Sequence, residues 1–160
     1  LNAAILRSPY AHAIIEKIDS AEALNLPGVV SVITGDQIHE LSDPFLVALR
    51  QPLQQWSLAV KRVRYTGEPV ALVIADDRYN AEDAVDRIHV TYTPLPASID
   101  TEEAVSEDAP LVHEEAGTNL VSVRDFTYGE PDKAFLEADH VFPKRQFFHA
   151  ILTCQSKILL

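Results

Sequence analysis

Histidine side chains bind metals and transfer protons, and this sequence contains six of them. A metal site is recognised in a sequence by spacing, as in the i, i+4 histidines of H-E-x-x-H or the paired cysteines of C-x-x-C. No two histidines here are four residues apart and no C-x-x-C occurs, so the sequence does not predict a metal centre. The histidines are His12, His39, His89, His113, His140 and His149.

The segment His113-Glu114-Glu115 comes nearest to a ligand cluster. Adjacent residues of an extended segment point to opposite faces, so these side chains are not expected to converge on one ion. We therefore predict a solvated acidic loop, with metal binding as the alternative. The pair Asp76-Asp77 is likewise expected to start a helix rather than to act as an acid and a base.

The sequence contains no motif that is typical of nucleophilic catalysis. Ser8 precedes a proline and lies outside any G-x-S-x-G elbow, and the single cysteine, Cys154, has His149 five residues before it. We interpret Cys154 as a thiol without a catalytic role. A Ser-His-Asp set assembled in space stays open, because its members need not be close in sequence.

Nucleotides and nucleic acids are not expected ligands. The five glycines are scattered and form neither G-x-G-x-x-G nor G-x-x-x-x-G-K, so each is assigned to a turn or a cap. The net charge of -11 repels phosphate backbones. Two short basic clusters, residues 61–64 and Lys144-Arg145, are expected to be solvated strand ends. No sequence motif thus assigns a catalytic, cofactor-binding or metal-binding role to a residue of this chain.

The bulk composition is that of a folded domain. A chain of 160 residues with 47% hydrophobic residues fits one domain or one domain with a short extension. The apolar run 70–75 is far shorter than the ~20 residues of a membrane span. A single cysteine favours a reducing compartment, so we expect a cytoplasmic protein. The start at Leu1 lacks a methionine and a signal-peptide pattern, which indicates a missing N-terminus.

The first sixty residues predict three short strands and one helix. β-branched runs indicate strands at 3–6 and 13–18, with a break at Pro9, and a buried strand at 29–33. Asp19 or Ser20 is placed to cap a helix through Leu24, with Asp19 and Glu22 forming a capping box. Residues 36–62 lack periodicity and are predicted to be a long surface excursion.

The middle of the chain predicts a strand, a helix and a strand. A turn at 64–68 precedes a strand at 69–75 that is apolar on both faces and is therefore central in a sheet. A helix follows, with an apolar stripe at Ala81, Ala84, Val85 and Ile88. It leads to a strand at 89–93, and a helical connection of this kind predicts two parallel strands with a right-handed crossover.

The last third predicts weaker structure. Residues 97–118 are acidic and rich in turn residues, which indicates a linker or an edge segment. Alternation at 121–126 predicts a strand, Pro131 opens a helix that runs to Ala138, and a final strand is expected at 140–148.

Three stretches in order carry a resemblance to one family. Residues 3–13 (AAILRSPYAHA) with 26–35 (LPGVVSVITG) form the first, and 63–71 (VRYTGEPVA) with 90–96 (VTYTPLP) form the second. The third consists of residues 129–135 (GEPDKAF) and 137–141 (EADHV). Together they resemble the large subunits of xanthine dehydrogenase, aldehyde oxidase and aerobic carbon monoxide dehydrogenase, the molybdenum hydroxylases.

The resemblance implies a fold and a domain division. It implies an α+β fold, with an α/β-hammerhead domain over residues 1–100. Residues 101–160 would be a connector and the truncated start of a molybdopterin-binding domain. After residues 145–150 the family continues with proline, an aliphatic residue and glutamate, whereas this chain has Ile151-Leu152-Thr153-Cys154. This departure predicts that the last ten residues differ from the family's conformation.

The resemblance also implies a function. Such enzymes oxidise a small aldehyde, purine-like or carbon monoxide type substrate with water as the oxygen source, and they pass electrons through iron–sulfur clusters to flavin. The molybdenum–molybdopterin cofactor and the catalytic residues would belong to the rest of an oligomeric enzyme, so this fragment holds no cofactor and is inactive. Its partners would be the rest of the large subunit and the iron–sulfur and flavin subunits or domains. The alternatives are a stand-alone binding or assembly module with the same fold, and a hydrolase based on histidine and acidic residues.

Overall fold

The computed structural model describes residues 1–45, 53–123 and 125–142. The chain divides into two compact units, Leu1–Val123 and Arg124–Leu160. The predictions for Lys144-Arg145, His149, Cys154 and the last ten residues lie outside the described residues, as does most of the predicted strand at 140–148. No helix in the described part of the chain is long and apolar enough to cross a membrane.

The first unit contains two antiparallel sheets of three strands each. One sheet has the order β1-β5-β3 and the other has the order β4-β2-β6. The strands are β1 Asn2–Arg7, β2 Ala13–Asp19, β3 Val29–Thr34, β4 Arg62–Val63, β5 Pro69–Ala75 and β6 His89–Pro94.

Helices connect the strands and cover one face of the first sheet. In the first unit these are α1 Ala21–Leu24, α2 Gly35–Leu41 and α3 Arg78–Val85, with 3₁₀ turns at Glu103–Val105 and Glu114–Ala116. The second unit contains α4 Pro131–Glu137, which begins with proline as predicted and ends one residue earlier.

Two hydrophobic clusters hold the first unit together. The first lies between β5 and α3, where Val73, Ala81 and Ala84 are fully buried and Ile88 nearly so, which confirms the predicted apolar stripe. The second contains Ala13, Ala59, Val63 and Val70. Ile18 and Val90 pack against both clusters, so the two sheets share a continuous apolar interior.

Several local predictions are confirmed. The strand at 69–75 is the central strand of its sheet, with β1 and β3 on its two edges. Asp77 caps α3, since its carboxylate accepts a hydrogen bond from the backbone N–H of Asn80 at 3.0 Å. Gly67 takes a positive φ of 88° in the predicted turn at 64–68.

The predicted parallel strand–helix–strand unit is wrong. Strand β6 does not lie beside β5 but pairs antiparallel with β2 in the other sheet. The physical reason is that β1 and β3 already occupy both edges of β5. The strand after α3 therefore uses the free edge of β2, where Val90 and Tyr92 pack against the second cluster.

Three other element predictions need correction. Residues 36–62 are not a bare excursion, because Thr34 and Gln37 form a capping box for α2, and β4 follows. No capping box joins Asp19 and Glu22, since the Asp19 carboxylate binds the Ala21 backbone N–H and the ammonium group of Lys17. Strand β3 is an edge strand rather than a buried one, with Val30 58% exposed.

The predicted strand at 121–126 is also wrong. Residues 121–123 and 125–126 form no strand. Alternating apolar residues favour an extended chain, but a strand also needs a neighbour with which to exchange hydrogen bonds. Alternation within one segment cannot supply that neighbour.

Candidate functional site

A cavity of about 250 Å³ lies in the first unit between the turn after β4 and a segment some fifty residues later in the chain. Most of its lining is apolar, and a few polar side chains converge on it, as in small-ligand or side-chain binding pockets. The lining residues are Leu53, Gln54, Gln55, Trp56, Leu58, Ala59, Val60, Arg64, Tyr65, Glu68, Val112 and His113.

Glu68 is the acidic side chain of this cavity. The turn from Arg64 to Glu68 folds back, and the backbone N–H of Arg64 donates a hydrogen bond to the Glu68 carboxylate. Burial raises the pKa of Glu68 above its ordinary value, although the backbone N–H groups and the charge of Arg64 oppose this shift.

Two arginines of the basic cluster bind the acidic segment. The guanidinium of Arg62 lies 3.0 Å from one oxygen of Glu114 and 3.3 Å from the other, a bidentate pair. The guanidinium of Arg64 lies 3.6 Å from Glu115 and donates to the Val112 carbonyl at 3.3 Å. The prediction of solvated strand ends is therefore wrong for Arg62 and Arg64, whose side chains are only 22% exposed.

The predicted solvated acidic loop at His113 is also wrong in part, because Glu114 and Glu115 pair with the two arginines. Glu114 begins a 3₁₀ turn, and hydrogen bonding to Arg62 holds the pKa of Glu114 below its usual value. Desolvation acts to raise the pKa of Glu115, but hydrogen bonds, including one from His113, and the charge of Arg64 lower it on balance. Sequence reasoning missed these pairs, and the opposite charges of the two segments were the available signal.

Each of the other described histidines makes a different contact. His12 is buried, and its Nδ1 donates to the Pro96 carbonyl at 2.9 Å, since a carbonyl oxygen only accepts. His39 lies edge-on to Trp56 with ring centroids 4.6 Å apart, and exposed His89 lies 3.9 Å from Glu22. His140 lies in the second unit, beside Phe142.

Ser8 and Asp76 also have structural roles. Buried Ser8 accepts a hydrogen bond from the backbone N–H of Tyr10 at 3.0 Å, which fixes the turn between β1 and β2. Asp76 accepts hydrogen bonds from the Asn80 side chain and the Asp77 backbone, both at 2.8 Å. The hydrogen bond from Asn80 lowers the pKa of Asp76 below its ordinary value. Both residues support the backbone rather than a substrate.

The cavity has the size and lining to accommodate a small ligand or a side chain. Within residues 1–45, 53–123 and 125–142, no group of three or more His, Cys, Asp or Glu side chains could hold a metal ion. The cavity combines apolar walls with the carboxyl group of Glu68 and the guanidinium of Arg64, which pairs with Glu115. These residues do not fit a molybdenum centre, so no reaction step is assigned to them.

Comparison with known proteins identifies the family. Residues 1–96 match the model of the aldehyde oxidase and xanthine dehydrogenase a/b hammerhead domain. The chain belongs to the aldehyde oxidase and xanthine dehydrogenase family. The two packed sheets with their helices are thus the hammerhead fold, and the predicted resemblance and α+β class are confirmed.

Relatives of this hammerhead chain are subunits or chains of dehydrogenases. It is 38% identical over 149 residues to the 6-hydroxypseudooxynicotine dehydrogenase complex subunit gamma of Paenarthrobacter nicotinovorans, covering 88% of this chain and 18% of that protein. It is 36% identical over 142 residues to the carbon monoxide dehydrogenase large chain of Hydrogenophaga pseudoflava, covering 84% and 18%.

A solved structure confirms the fold of this family member. Quinoline 2-oxidoreductase from Pseudomonas putida 86 matches with a TM-score of 0.73 and 36% identity, over 86% of this chain and 18% of that chain. The chain therefore spans less than a fifth of the relatives it matches. The division predicted at residue 100 stays a prediction.

Proposed function

We propose that this chain is the N-terminal scaffold region of the large, molybdenum-carrying subunit of a molybdenum hydroxylase. The observation that carries the proposal is the family match over residues 1–96, in relatives whose matched region is 18% of their length. The whole enzyme oxidises a small aldehyde, purine-like or carbon monoxide type substrate. The fragment alone is inactive.

The contacts of the described side chains favour a scaffold role over a catalytic one. Three described side chains that could do chemistry, Ser8, His12 and Asp76, instead hold the backbone or a helix start. A folded domain of this kind contributes by packing against a neighbouring domain. The molybdenum–molybdopterin group and its ligands belong, in this proposal, to other parts of the polypeptide, and iron–sulfur and flavin partners receive the electrons.

A domain exchange tests the proposal. The matching 149 residues of the 6-hydroxypseudooxynicotine dehydrogenase gamma subunit are replaced by this chain, and the complex is purified with its other subunits. We expect an assembled complex with the parent's molybdenum content and a kcat within about tenfold of the parent. That is less than the ~100-fold loss that misplaced reacting groups cause.

The isolated chain provides the matching control. Purified by itself, it is expected to hold no molybdenum by elemental analysis and to show no oxidation of the parent's substrate. Stoichiometric molybdenum or turnover in the isolated chain would contradict the scaffold role. A folded chain that fails to support the exchanged complex would instead favour the stand-alone binding module.

A further inference from the structure

The first sheet is apolar on both faces, and the described residues cover the face opposite α3 only in part, at the end where Val70 is buried in the second cluster. Ala71 and Val73 of β5 face α3 and belong to the first cluster. Leu72 and Ile74 alternate with them and therefore point to the opposite face. A strand that is hydrophobic throughout is typical of a sheet that is covered on both sides.

The rest of this opposite face is a mostly apolar surface across three strands, with Ser31 as its polar member. The strand register places Ile5 of β1 and Ile33 of β3 on either side of Leu72. Next to this row, Ala3 and Ser31 flank Ile74 in the same way. We call this the outer face; it consists of Ala3, Ile5, Ser31, Ile33, Leu72 and Ile74.

The outer face is not part of either hydrophobic cluster. Ile5 is 42% exposed, and Ile33, Leu72 and Ile74 are half-buried without packing against the buried residues of the first or second cluster. Contiguous apolar side chains that stay partly exposed mark interaction sites. No member of the outer face carries a charge, so an apolar partner fits it best.

Two features favour an occupant that belongs to the same polypeptide. The relatives continue for more than four-fifths of their length outside the matched region, which supplies a partner at high effective concentration. A second copy of this chain would bring another net charge of -11, and this repulsion disfavours self-association.

We propose that the outer face is the surface on which the remainder of the large subunit packs, through apolar side chains placed over the Ile5–Leu72–Ile33 row. This inference rests on the proposed function and specifies which surface of the scaffold does the supporting. Covering the row completes the burial that the sequence of β5 indicates.

The domain exchange described above provides the test. Ile5→Lys places a charge on the outer face, and Leu24→Lys places the same charge on α1 at a side chain that is 48% exposed and outside the outer face. In the exchanged complex, we expect Ile5→Lys to reduce the yield of assembled, molybdenum-containing enzyme at least tenfold, with Leu24→Lys near the unsubstituted level. Burial of an unpaired charge is the physical cause.

A second measurement separates docking from folding. In the isolated chain both lysine variants should stay folded by circular dichroism. Hydroxyl-radical labelling of Ile5, Leu72 and Ile33 should fall when the unsubstituted chain is part of the complex. Equal labelling in both contexts, or equal yields for the two variants, would overturn the inference while leaving the proposed function standing.

The remaining outcomes are equally decisive. Dimerisation of the isolated chain that Ile5→Lys abolishes would assign the outer face to a second copy and overturn the inference. An unsubstituted exchange that does not assemble would remove the proposed function, and the inference would fall with it.

Discussion

At the residue scale, several side chains that could do chemistry instead stabilise turns and other backbone segments. His12 donates to the Pro96 carbonyl, and Ser8 fixes the turn before Tyr10. Glu68 differs, because its half-buried carboxyl group lies in a mostly apolar cavity and burial raises its pKa. Its protonation should be visible in the pH dependence of the free energy of unfolding.

Substituting Glu68→Gln should change how stability depends on pH. Because the folded-state pKa is raised, the native protein holds the proton after the unfolded chain has released it, so stability falls as pH rises. The loss begins near the ordinary value of 4.5 and extends through the raised pKa. We expect the free energy of urea unfolding to fall less steeply over that interval in the Gln variant, which retains the carbonyl acceptor.

Glu114→Gln is the matched control, with the opposite sign. The pKa of Glu114 is lowered by Arg62, so its contribution is present above the ordinary value of 4.5 and is lost as pH falls. The difference between the unsubstituted protein and this variant should therefore shrink toward low pH. Identical pH profiles for the Glu68 variant and the unsubstituted protein would contradict the role assigned to the buried carboxyl.

Gly28→Ala should destabilise the fold more than the same change at Gly117. Both glycines have a positive φ, 83° and 66°, which costs a side-chain-bearing residue about 1–2 kcal/mol. A Cβ at Gly28 would also lie 2.3 Å from the Asp76 carboxylate, whereas nothing lies within 4 Å at Gly117. Urea unfolding of both variants measures the difference, and equal losses would show that the close contact is relieved at no cost.

At the element scale, N-caps determine where helices begin, and free strand edges determine where strands pair. Helix α3 starts where Asp77 accepts the Asn80 backbone N–H, and α2 starts at the capping box of Thr34 and Gln37. Strand β6 then pairs with β2, because β5 has no free edge. Local sequence signals thus determine where an element begins, while a free edge on a neighbouring strand determines where that element packs.

Asp77→Ala should cost about 1 kcal/mol of folding free energy, the usual effect of removing an N-cap acceptor. Ser20→Ala is the matched control, since Ser20 occupies the N-cap of α1 but its side chain makes no capping hydrogen bond. We expect that control to stay within about 0.5 kcal/mol of the unsubstituted protein. Equal losses in thermal unfolding would show that the side-chain hydrogen bond of Asp77 does not stabilise α3.

On the scale of the whole first unit, two hydrophobic clusters are joined by shared residues. Ile18 of β2 and Val90 of β6 contact both the cluster under α3 and the cluster around Val63. This sharing links the two sheets, so the first unit should unfold as one cooperative body.

Substituting Val73→Ala in one cluster and Val70→Ala in the other tests this cooperativity. Both valines are fully buried, and each substitution should cost about 2 kcal/mol. Far-ultraviolet circular dichroism and the fluorescence of the single tryptophan, Trp56, should give the same midpoint in each variant. Separate midpoints for the two probes would mean that the clusters unfold independently.

The sequence by itself determined most of the elements and the family. The strand at Pro69–Ala75, the apolar stripe of α3 and the helix at Pro131 follow from alternation, periodicity and proline chemistry within short segments. Signals of this kind are local, since they depend on which face of one element meets water. The order of three recognisable stretches supplied the hammerhead assignment, which the family match confirms.

Only the tertiary structure decided which segments meet. It placed β6 in the second sheet, joined Arg62 to Glu114 across fifty-two residues, and enclosed Glu68 in a cavity. It also left the Ile5–Leu72–Ile33 row outside both hydrophobic clusters of the described residues, with Ile5 42% exposed. Each of these outcomes depends on free edges, charges and apolar faces contributed by distant parts of the chain, which no single segment specifies.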